Sequence, residues 1–229
     1  MTSYAFVSDI HANAEALDAV ISQLHGERVY CLGDIVGYGA SPNEVVAKLR
    51  EVDAVCVKGN HDEAVVTGNV SDFNARAGMA AQWTRRTLGQ EALAYIASLP
   101  TSIRVALEDV EAYLTHGSPD DNLWEYVDPA THGDLLGYYL KRLGVGAIAL
   151  GHTHLPYVWK GKEGTVFNPG SVGQPRDGDR RAAYAIVSVT NDELSVDLRR
   201  VEYDYVASAE KIRRVGLPPQ LAERLLQGT

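Results

Sequence analysis

The sequence predicts an α/β fold with parallel strands, and three observations lead to this prediction. Short apolar runs typical of buried strands recur early in the chain, in YAFVSD, RVYCLGD and AVCVKG. Amphipathic segments separate these runs, and strands that alternate with helices pair in parallel. The chain has 229 residues with 45% hydrophobic side chains, which is enough for a substantial buried core.

Two helices are predicted between the first three strands. In the first, NAEALDAVISQL, apolar residues recur at steps of three and four and form one stripe: Leu17, Val20, Ile21 and Leu24. The second begins with SPNE, which predicts Ser41 as the N-cap, Pro42 at the first helical position and Glu44 completing a capping box.

The alternation of strand and helix stops between Glu63 and Pro100. This segment reads as two helices broken near Gly89, with no strand between them. No repeat or obvious linker interrupts the chain. We therefore expect a single domain over 1–229, carrying a helical lid inserted at about 63–100.

Strand patterns resume after the inserted segment. SIRVALEDVEAYLTHG predicts two strands joined at Glu108 and Asp109, Pro129 to Leu143 predicts a helix, and GAIALGHTH predicts another strand. The tail predicts antiparallel strands around Gly and Asn-Asp turns, in YVWKGKEGTVFNPGS and AAYAIVSVTNDELSVDLRRVEYD. A final helix is expected near Tyr205 to Val215.

Charge and composition exclude several classes of protein. A formal net charge of −9 and a pI near 5.2 argue against a surface that grips long nucleic acid by its phosphates. Cys31 and Cys56 lie in apolar runs, where thiols act as small buried hydrophobes. The sequence has no signal-peptide pattern and no apolar run of roughly 20 residues, so we expect a cytoplasmic protein without a membrane partner.

Five predicted strands end in polar side chains that can bind a metal ion: Asp9, His11, Asp34, Asn60, His61, His116, His152 and His154. Taken singly, each block has an ordinary alternative as a strand end or turn, where Asp, Asn and His are common. The carboxyl ends of parallel strands share one rim of a sheet, so these residues should converge there. Their carboxylates would then be buried with little to offset the cost unless cations are bound.

The types of donor narrow the choice of metal. Oxygen and imidazole donors without thiolates suit Mn²⁺, Fe²⁺ or Zn²⁺ rather than a structural zinc or a soft metal. There are more donors than one ion needs. A pair of ions with one bridging carboxylate fits the count.

Five motifs, DIH, GDIVGYG, GNHDE, THGS and GHTH, occur in this order from Asp9 to His154. They resemble the five motif blocks of the calcineurin-like metallophosphoesterases, and NPGSVGQPRDGD is similar to a loop of small bacterial members. The resemblance implies two packed mixed β-sheets flanked by helices, in a four-layer sandwich. It also implies a binuclear metal-dependent phosphoesterase with two divalent ions, Mn²⁺ foremost and Fe²⁺ or Zn²⁺ as alternatives.

The resemblance also implies a role for each residue. One metal would be held by Asp9, His11, Asp34 and His154, and the other by Asp34, Asn60, His116 and His152. Asp34 would then bridge the two ions, and a hydroxide bridging them would attack phosphorus. His61 would be a catalytic residue rather than a ligand, protonating the leaving group, with Asp62 orienting its ring.

One departure from the family bears on the substrate. Phosphoprotein phosphatases and the diadenosine tetraphosphatases that resemble them carry a phosphate-clamping Arg shortly after the position of Val36, where this chain has Gly37, Tyr38 and Gly39. We therefore expect small phosphodiesters or nucleotide-like phosphate esters as substrates. Four residues are candidates to contact them: Tyr38, Asn74, Arg85 and Arg176.

Three alternatives stay open at this point. In the first alternative the chain is a Ser/Thr-type phosphoprotein phosphatase, with Arg176 replacing the missing clamp. In the second it hydrolyses diadenosine polyphosphates. A non-catalytic scaffold of the same fold is the third alternative, and the full ligand set argues against it. For Tyr38, simple packing is the alternative to a substrate contact.

Overall fold

The computed structural model describes residues 2–190 and 193–229. Within these ranges the strands are β1 Ser3–Val7, β2 Arg28–Cys31, β3 Val55–Cys56, β4 Ser102–Leu107, β5 Val110–Thr115, β6 Ala147–Ala149, β7 Tyr157–Gly161, β8 Gly164–Asn168, β9 Ala182–Thr190 and β10 Glu193–Val201. The helices are α1 Ala14–Ile21, α2 Pro42–Glu51, α3 Asn60–Thr67, α4 Ala75–Thr87, α5 Gln90–Ser98, α6 Pro129–Leu143, α7 Tyr205–Arg214 and α8 Pro219–Gln227.

The first sheet has the strand order β10-β9-β1-β2-β3. The neighbours β1, β2 and β3 are parallel, which confirms the pairing predicted from the alternating pattern. On the other side of β1, the tail strand β9 adds antiparallel, and β10 pairs antiparallel with β9. The Asn-Asp turn expected between these two strands lies at residues 191 and 192, outside the described residues.

The second sheet has the order β4-β5-β6-β8-β7. Its central strands β5, β6 and β8 run parallel, and the flanking β4 and β7 are antiparallel to their neighbours. The helix predicted from Pro129 to Leu143 is confirmed as α6, which leads from β5 to β6. Both sheets are therefore mixed, and the carboxyl ends of their parallel strands open on the functional loops.

The two sheets pack face to face around apolar side chains contributed by both. Phe6 of β1 contacts Phe167 of β8 edge to face, with ring centroids 5.0 Å apart. Helices α1, α2 and α3 cover the outer face of the first sheet, and α6 covers the outer face of the second. The result confirms the fold class expected from the resemblance, with two mixed sheets flanked by helices.

The inserted segment contains α4 and α5, which meet at Leu88 and Gly89 where the break is predicted. Ile96 of α5 is fully buried in the same core that α2 and α3 use. The segment is thus packed into the domain along most of its length. Its Asp72 to Ala77 portion reaches the functional cavity, and the action of the segment as a lid stays a prediction.

Several local expectations are corrected. Ser41 is the N-cap of α2, but its side chain makes no capping hydrogen bond, and its hydroxyl instead lies 3.5 Å from Lys211 Nζ. The sequence reasoning missed α8, although Pro219 at its start and the four-residue spacing of Leu221 and Leu225 are helix signals.

Within the described ranges, no helix combines the length and apolar content needed to cross a membrane.

Candidate metal centre

Sharp turns after the strands bring the predicted ligands together. Five of them have left-handed backbones, with φ between 49° and 69°: Asp9, His11, Asp34, His152 and His154. Such a conformation is uncommon outside glycine and persists only where the surroundings hold it. Here the Asp9 amide donates to Gly33 O at 3.0 Å and the His11 amide to Asp34 O at 2.9 Å, so the first two turns hold each other.

The first group of potential ligand atoms comes from Asp9, His11 and His154. Asp9 Oδ1 lies 3.2 Å from His154 Nε2 and 3.8 Å from His11 Nε2. Each ring donates its Nδ1 proton to a backbone oxygen, His11 to Val36 and His154 to Gln174. Because a carbonyl oxygen only accepts, both Nε2 atoms of the neutral rings present lone pairs to the carboxylate, an arrangement that a cation stabilises.

The second group comes from Asp34, His116 and His152. Asp34 Oδ2 lies 3.4 Å from His116 Nε2, which is 3.1 Å from His152 Nδ1. His116 donates its Nδ1 proton to Leu32 O at 2.8 Å, and His152 donates its Nε2 proton to Trp124 O at 3.0 Å. The remaining ring nitrogens therefore converge on the second carboxylate as they do on the first.

Asp34 adjoins both groups. Its Oδ2 atom is also 3.6 Å from His11 Nε2, and its Oδ1 atom accepts a 2.9 Å hydrogen bond from the His61 amide. Burial acts to raise the pKa of Asp34, but the surrounding imidazoles, His116 foremost, hold it well below its ordinary value. The carboxylate is therefore ionised and stands where the bridging ligand is expected.

Two further oxygens lack partners. Asp9 Oδ2 accepts from Ser8 Oγ at 2.6 Å and from the His152 amide at 3.1 Å. Asp9 Oδ1 and Asn60 Oδ1 are buried without a hydrogen-bond donor among the described residues. Buried oxygens of this kind are costly unless a cation or water satisfies them, so the donor set fits divalent ions.

The loop after β8 holds Asp9 and His154, of the first group, through hydrogen bonds. Ser171 Oγ and the Gly173 amide both donate to Asp9 O, at 2.7 and 3.0 Å. The Gln174 carbonyl is the acceptor that orients His154, and the Gln174 amide donates to Ser171 Oγ at 2.8 Å. This explains in structural terms why the NPGSVGQ segment accompanies the metal-ligand motifs.

Asp62 does not orient the ring of His61, contrary to the expectation. As the third residue of α3, it turns its carboxylate back toward the chain and accepts from the amides of Gly59, Ile35 and Val36, at 3.0 to 3.1 Å. These bonds use both of its oxygens. Asp62 therefore joins the start of α3 to the loop that carries Asp34, and its role is structural support of the ligands.

His61 faces the cavity at the metal-ligand groups. Its Nδ1 atom is buried without a partner among the described residues, and burial lowers the pKa of the ring to about 4. A ring nitrogen of His61 also lies within 4.8 Å of ligand atoms of His11 and Asp34. The expected role of His61 as a proton donor rather than a ligand stays a prediction.

Gly37, in the GDIVGYG motif, leaves room for the ring of His61. A Cβ atom at this position would lie 2.5 Å from His61 Nδ1, and its φ of 92° favours glycine. The adjacent Tyr38 is only 7% exposed, and its ring packs against His11 and His61 with centroids 4.6 and 4.3 Å away. Tyr38 thus touches both the site and the apolar cluster formed with α4, α7 and α8.

A cavity of about 180 Å³ opens at these residues. Tyr38, Asn74 and Arg176 line it as expected. Asn74 is the N-cap of α4, and its Oδ1 atom is occupied by the amides of Arg76 and Ala77.

Arg85 does not reach the cavity, so its assignment as a substrate contact is corrected. Its guanidinium donates to the carbonyl oxygens of Val65 and Val66 at the end of α3. The helix geometry explains this outcome, because Arg85 lies in the last turns of α4, far along the helix from the cavity-lining end at Asn74. Arg85 therefore stabilises the packing of α4 on α3.

Three aromatic residues at the cavity escaped the sequence reasoning: Phe73, Trp124 and Tyr126. For Trp124 and Tyr126 the available signal was their position in the loop after THGS, which lies between two ligand motifs. Such a loop is expected near the rim but has no regular periodicity. Its side chains could not be assigned to the cavity without the tertiary structure.

Comparison with known proteins agrees with this geometry. The calcineurin-like phosphoesterase superfamily domain matches residues 3–192. The uncharacterized protein MJ0912 of Methanocaldococcus jannaschii is 36% identical over 244 residues, covering 98% of this chain and 97% of the relative. The phosphodiesterase YfcE of Escherichia coli K12 is 28% identical over 211 residues, covering 86% of this chain and 91% of the relative.

A solved structure is similar along the whole chain. The crystal structure of a metallophosphoesterase from Sphaerobacter thermophilus superposes with a TM-score of 0.84 at 35% identity, covering 100% of this chain and 99% of that one. The family match includes strands β1 to β9 and every motif that supplies the metal-ligand groups. The chain belongs to the calcineurin-like phosphoesterase superfamily.

Proposed function

We propose that the chain is a phosphoesterase that binds two divalent metal ions and hydrolyses small phosphodiesters or nucleotide-like phosphate esters. The observation that carries the proposal is the orientation of the four histidines. Each donates one ring proton to a backbone carbonyl and turns its other nitrogen toward Asp9 or Asp34. The second nitrogens and the two carboxylates lie close together in a buried site, where Asp9 Oδ1 has no hydrogen-bond donor among the described residues, and divalent cations would satisfy such a donor set.

The donors suit Mn²⁺ best among the candidates, with Fe²⁺ and Zn²⁺ as alternatives, because carboxylate and amide oxygens accompany the imidazoles. Asp9, His11, Asp34 and His154 would hold one ion, and Asp34, Asn60, His116 and His152 the other. When bound, a pair of such ions activates water at neutral pH and neutralises charge on the phosphate oxygens.

The remaining catalytic work falls to His61. We propose that its imidazolium gives a proton to the departing alcohol oxygen, a step worth roughly a hundredfold to ten-thousandfold in rate. In the free protein, burial keeps this ring neutral, with a pKa of about 4. An anionic phosphate beside the ring favours its protonated form, so substrate binding should raise the pKa of His61.

The cavity supports a small substrate. At about 180 Å³ it has room for a phosphate and little of a folded protein segment, and Arg176 lines it where a guanidinium can meet an anionic oxygen. The Arg176 Nε atom is buried without an acceptor among the described residues. A relative named as a phosphodiesterase agrees with diesters as the substrate class.

A turnover screen tests the proposal. The protein is stripped with a chelator, reloaded with Mn²⁺ and assayed on bis(4-nitrophenyl) phosphate, 4-nitrophenyl phosphate, a diadenosine polyphosphate and a phosphopeptide. We expect the highest kcat/KM on a diester or nucleotide ester, and loss of activity without metal. His25→Ala, at an exposed histidine between α1 and β2, is the control for His61→Ala.

Two results would overturn the proposal. Preference for the phosphopeptide would make the chain a phosphoprotein phosphatase. Stoichiometric metal without turnover of any ester would favour a binding scaffold.

A further inference from the structure

One side of the cavity is built from aromatic rings. We call Phe73, Trp124 and Tyr126 the aromatic wall; all three line the cavity. The rings of Phe73 and Trp124 meet edge to face with centroids 5.1 Å apart. Phe73 comes from the loop before α4, and the other two come from the loop after β5, so two separate segments form the wall.

The aromatic wall adjoins the groups that the chemistry needs. The Phe73 ring lies 4.6 Å from the His61 ring, edge to face. The Tyr126 ring stacks on His152, with centroids 3.9 Å apart and planes 12° from parallel. The wall therefore runs from the proposed proton donor to a proposed metal ligand.

Core packing does not account for two of these rings. Trp124 is half-buried and Tyr126 is 54% exposed. Neither belongs to an apolar cluster within the described ranges. Aromatic surface left open in a cavity with polar groups nearby is typical of a ligand site, because a flat apolar ligand gains by covering it.

We propose that the aromatic wall binds a flat aromatic ring on the leaving alcohol, and that the substrates are esters of nucleosides or alcohols of similar shape. The inference rests on the proposed function. Hydrolysis breaks the bond from phosphorus to the alcohol oxygen, water supplies the new oxygen, and the alcohol leaves protonated. The alcohol oxygen must lie at His61, so the rest of the alcohol extends along Phe73 and Trp124.

Two substrates that differ only in the ring test this specificity. The methyl phosphodiester at the 5′ oxygen of thymidine is compared with the same ester of the sugar without a base. In both esters the oxygen bound to phosphorus is the 5′ oxygen of the sugar, and the phosphate and the charge are the same. Stacking of one base on a protein aromatic predicts a preference in kcat/KM of about fivefold to a hundredfold for the thymidine ester.

Variants locate the preference. Trp124→Leu and Phe73→Ala should bring the ratio of the two kcat/KM values toward one, with the metal content retained. Phe73→Tyr, which keeps the ring, should keep the ratio. Tyr138→Ala is the matched control, because Tyr138 is a 53% exposed aromatic of α6 outside the cavity lining.

A binding measurement separates failure of this inference from failure of the proposed function. Thymidine 5′-phosphate and base-free deoxyribose 5-phosphate are titrated calorimetrically into the metal-loaded protein. Tighter binding of the nucleotide, abolished in Trp124→Leu, supports the aromatic wall even if neither ester is cleaved. Equal binding of the two phosphates, or equal losses on both esters in the variants, would overturn the inference and leave hydrolysis of other esters intact.

Discussion

The Nε2 atoms of His11 and His154 lie 3.2 Å apart, and the Nδ1–H group of each ring donates a hydrogen bond to a backbone oxygen. Burial lowers the pKa of each ring well below its ordinary value, so both are neutral. Two facing lone pairs repel one another, and Asp9 Oδ1 adds a third. The relationship makes physical sense when a cation lies among these atoms.

Removing the shared carboxylate should weaken both metal sites. We expect two ions per chain by elemental analysis of the metal-replete protein. Asp34→Asn should lower the affinity for each ion by at least about tenfold, since both groups lose a charged donor. Asp197→Asn, at an exposed carboxylate paired with Arg199, is the control. One ion per chain, or unchanged affinities in Asp34→Asn, would contradict the binuclear arrangement.

Metal binding should release a proton at neutral pH. Burial acts to lower the pKa of His116, but Asp34 and then Asp9 outweigh it and raise the pKa to about 9 in the metal-free protein. Below that pH the ring is protonated and must lose its proton before Nε2 can bind an ion. Affinity for the ion held by Asp34, Asn60, His116 and His152 should therefore rise about tenfold per pH unit and level off above about pH 9.

Calorimetry in buffers of different ionisation enthalpy measures this proton release. We expect about one proton per chain at pH 7. The neighbouring His152 contributes none, because burial lowers its pKa to about 3. Unchanged release in His116→Gln would show that the proton comes from another group.

Adjacent residues at the start of α3 should have separable roles. His61→Ala should retain both ions and lose about a hundredfold or more in kcat on esters of poor leaving groups. The loss should be smallest for nitrophenyl esters, because nitrophenolate departs without a proton. Asn60→Ala should instead weaken one ion first. An equal loss of kcat on good and poor leaving groups in His61→Ala would leave His61 only an electrostatic role.

The carboxylate of Asp62 should matter for stability. Asp62→Ala removes the acceptor of three amides, from Gly59, Ile35 and Val36, and leaves these buried groups unpaired. We expect a loss of at least about 3 kcal/mol in the free energy of unfolding, measured with urea. The residual activity should depend on the leaving group as in the unaltered protein, whereas a role in orienting His61 would change that dependence.

Arg85→Ala separates the corrected role of this residue from substrate binding. The side chain donates to carbonyl oxygens at the end of α3 and lies away from the cavity. The variant should lose about 1 kcal/mol in the free energy of unfolding and keep kcat/KM. Arg176→Ala is the comparison, because it should raise KM with little change in stability. If kcat/KM falls in Arg85→Ala and not in Arg176→Ala, Arg85 would again be assigned as a substrate contact.

Elements whose signals are local can be predicted from the sequence alone. The bounds of α6 were predicted from Pro129 to Leu143, because proline at the first helical position and glycine after the last are signals within a few residues. The metal ligands were predicted for a related reason. Each follows an apolar run directly, and parallel strands present their carboxyl ends at one rim.

The contacts between residues distant in sequence depend on the tertiary structure. β9 adds beside β1, Asp62 binds the amides of Ile35 and Val36, and Phe73 meets Trp124. These pairs are dozens of residues or more apart in sequence, so no periodicity or cap encodes them. They form because burying apolar surface and pairing buried polar groups select one arrangement of the whole domain.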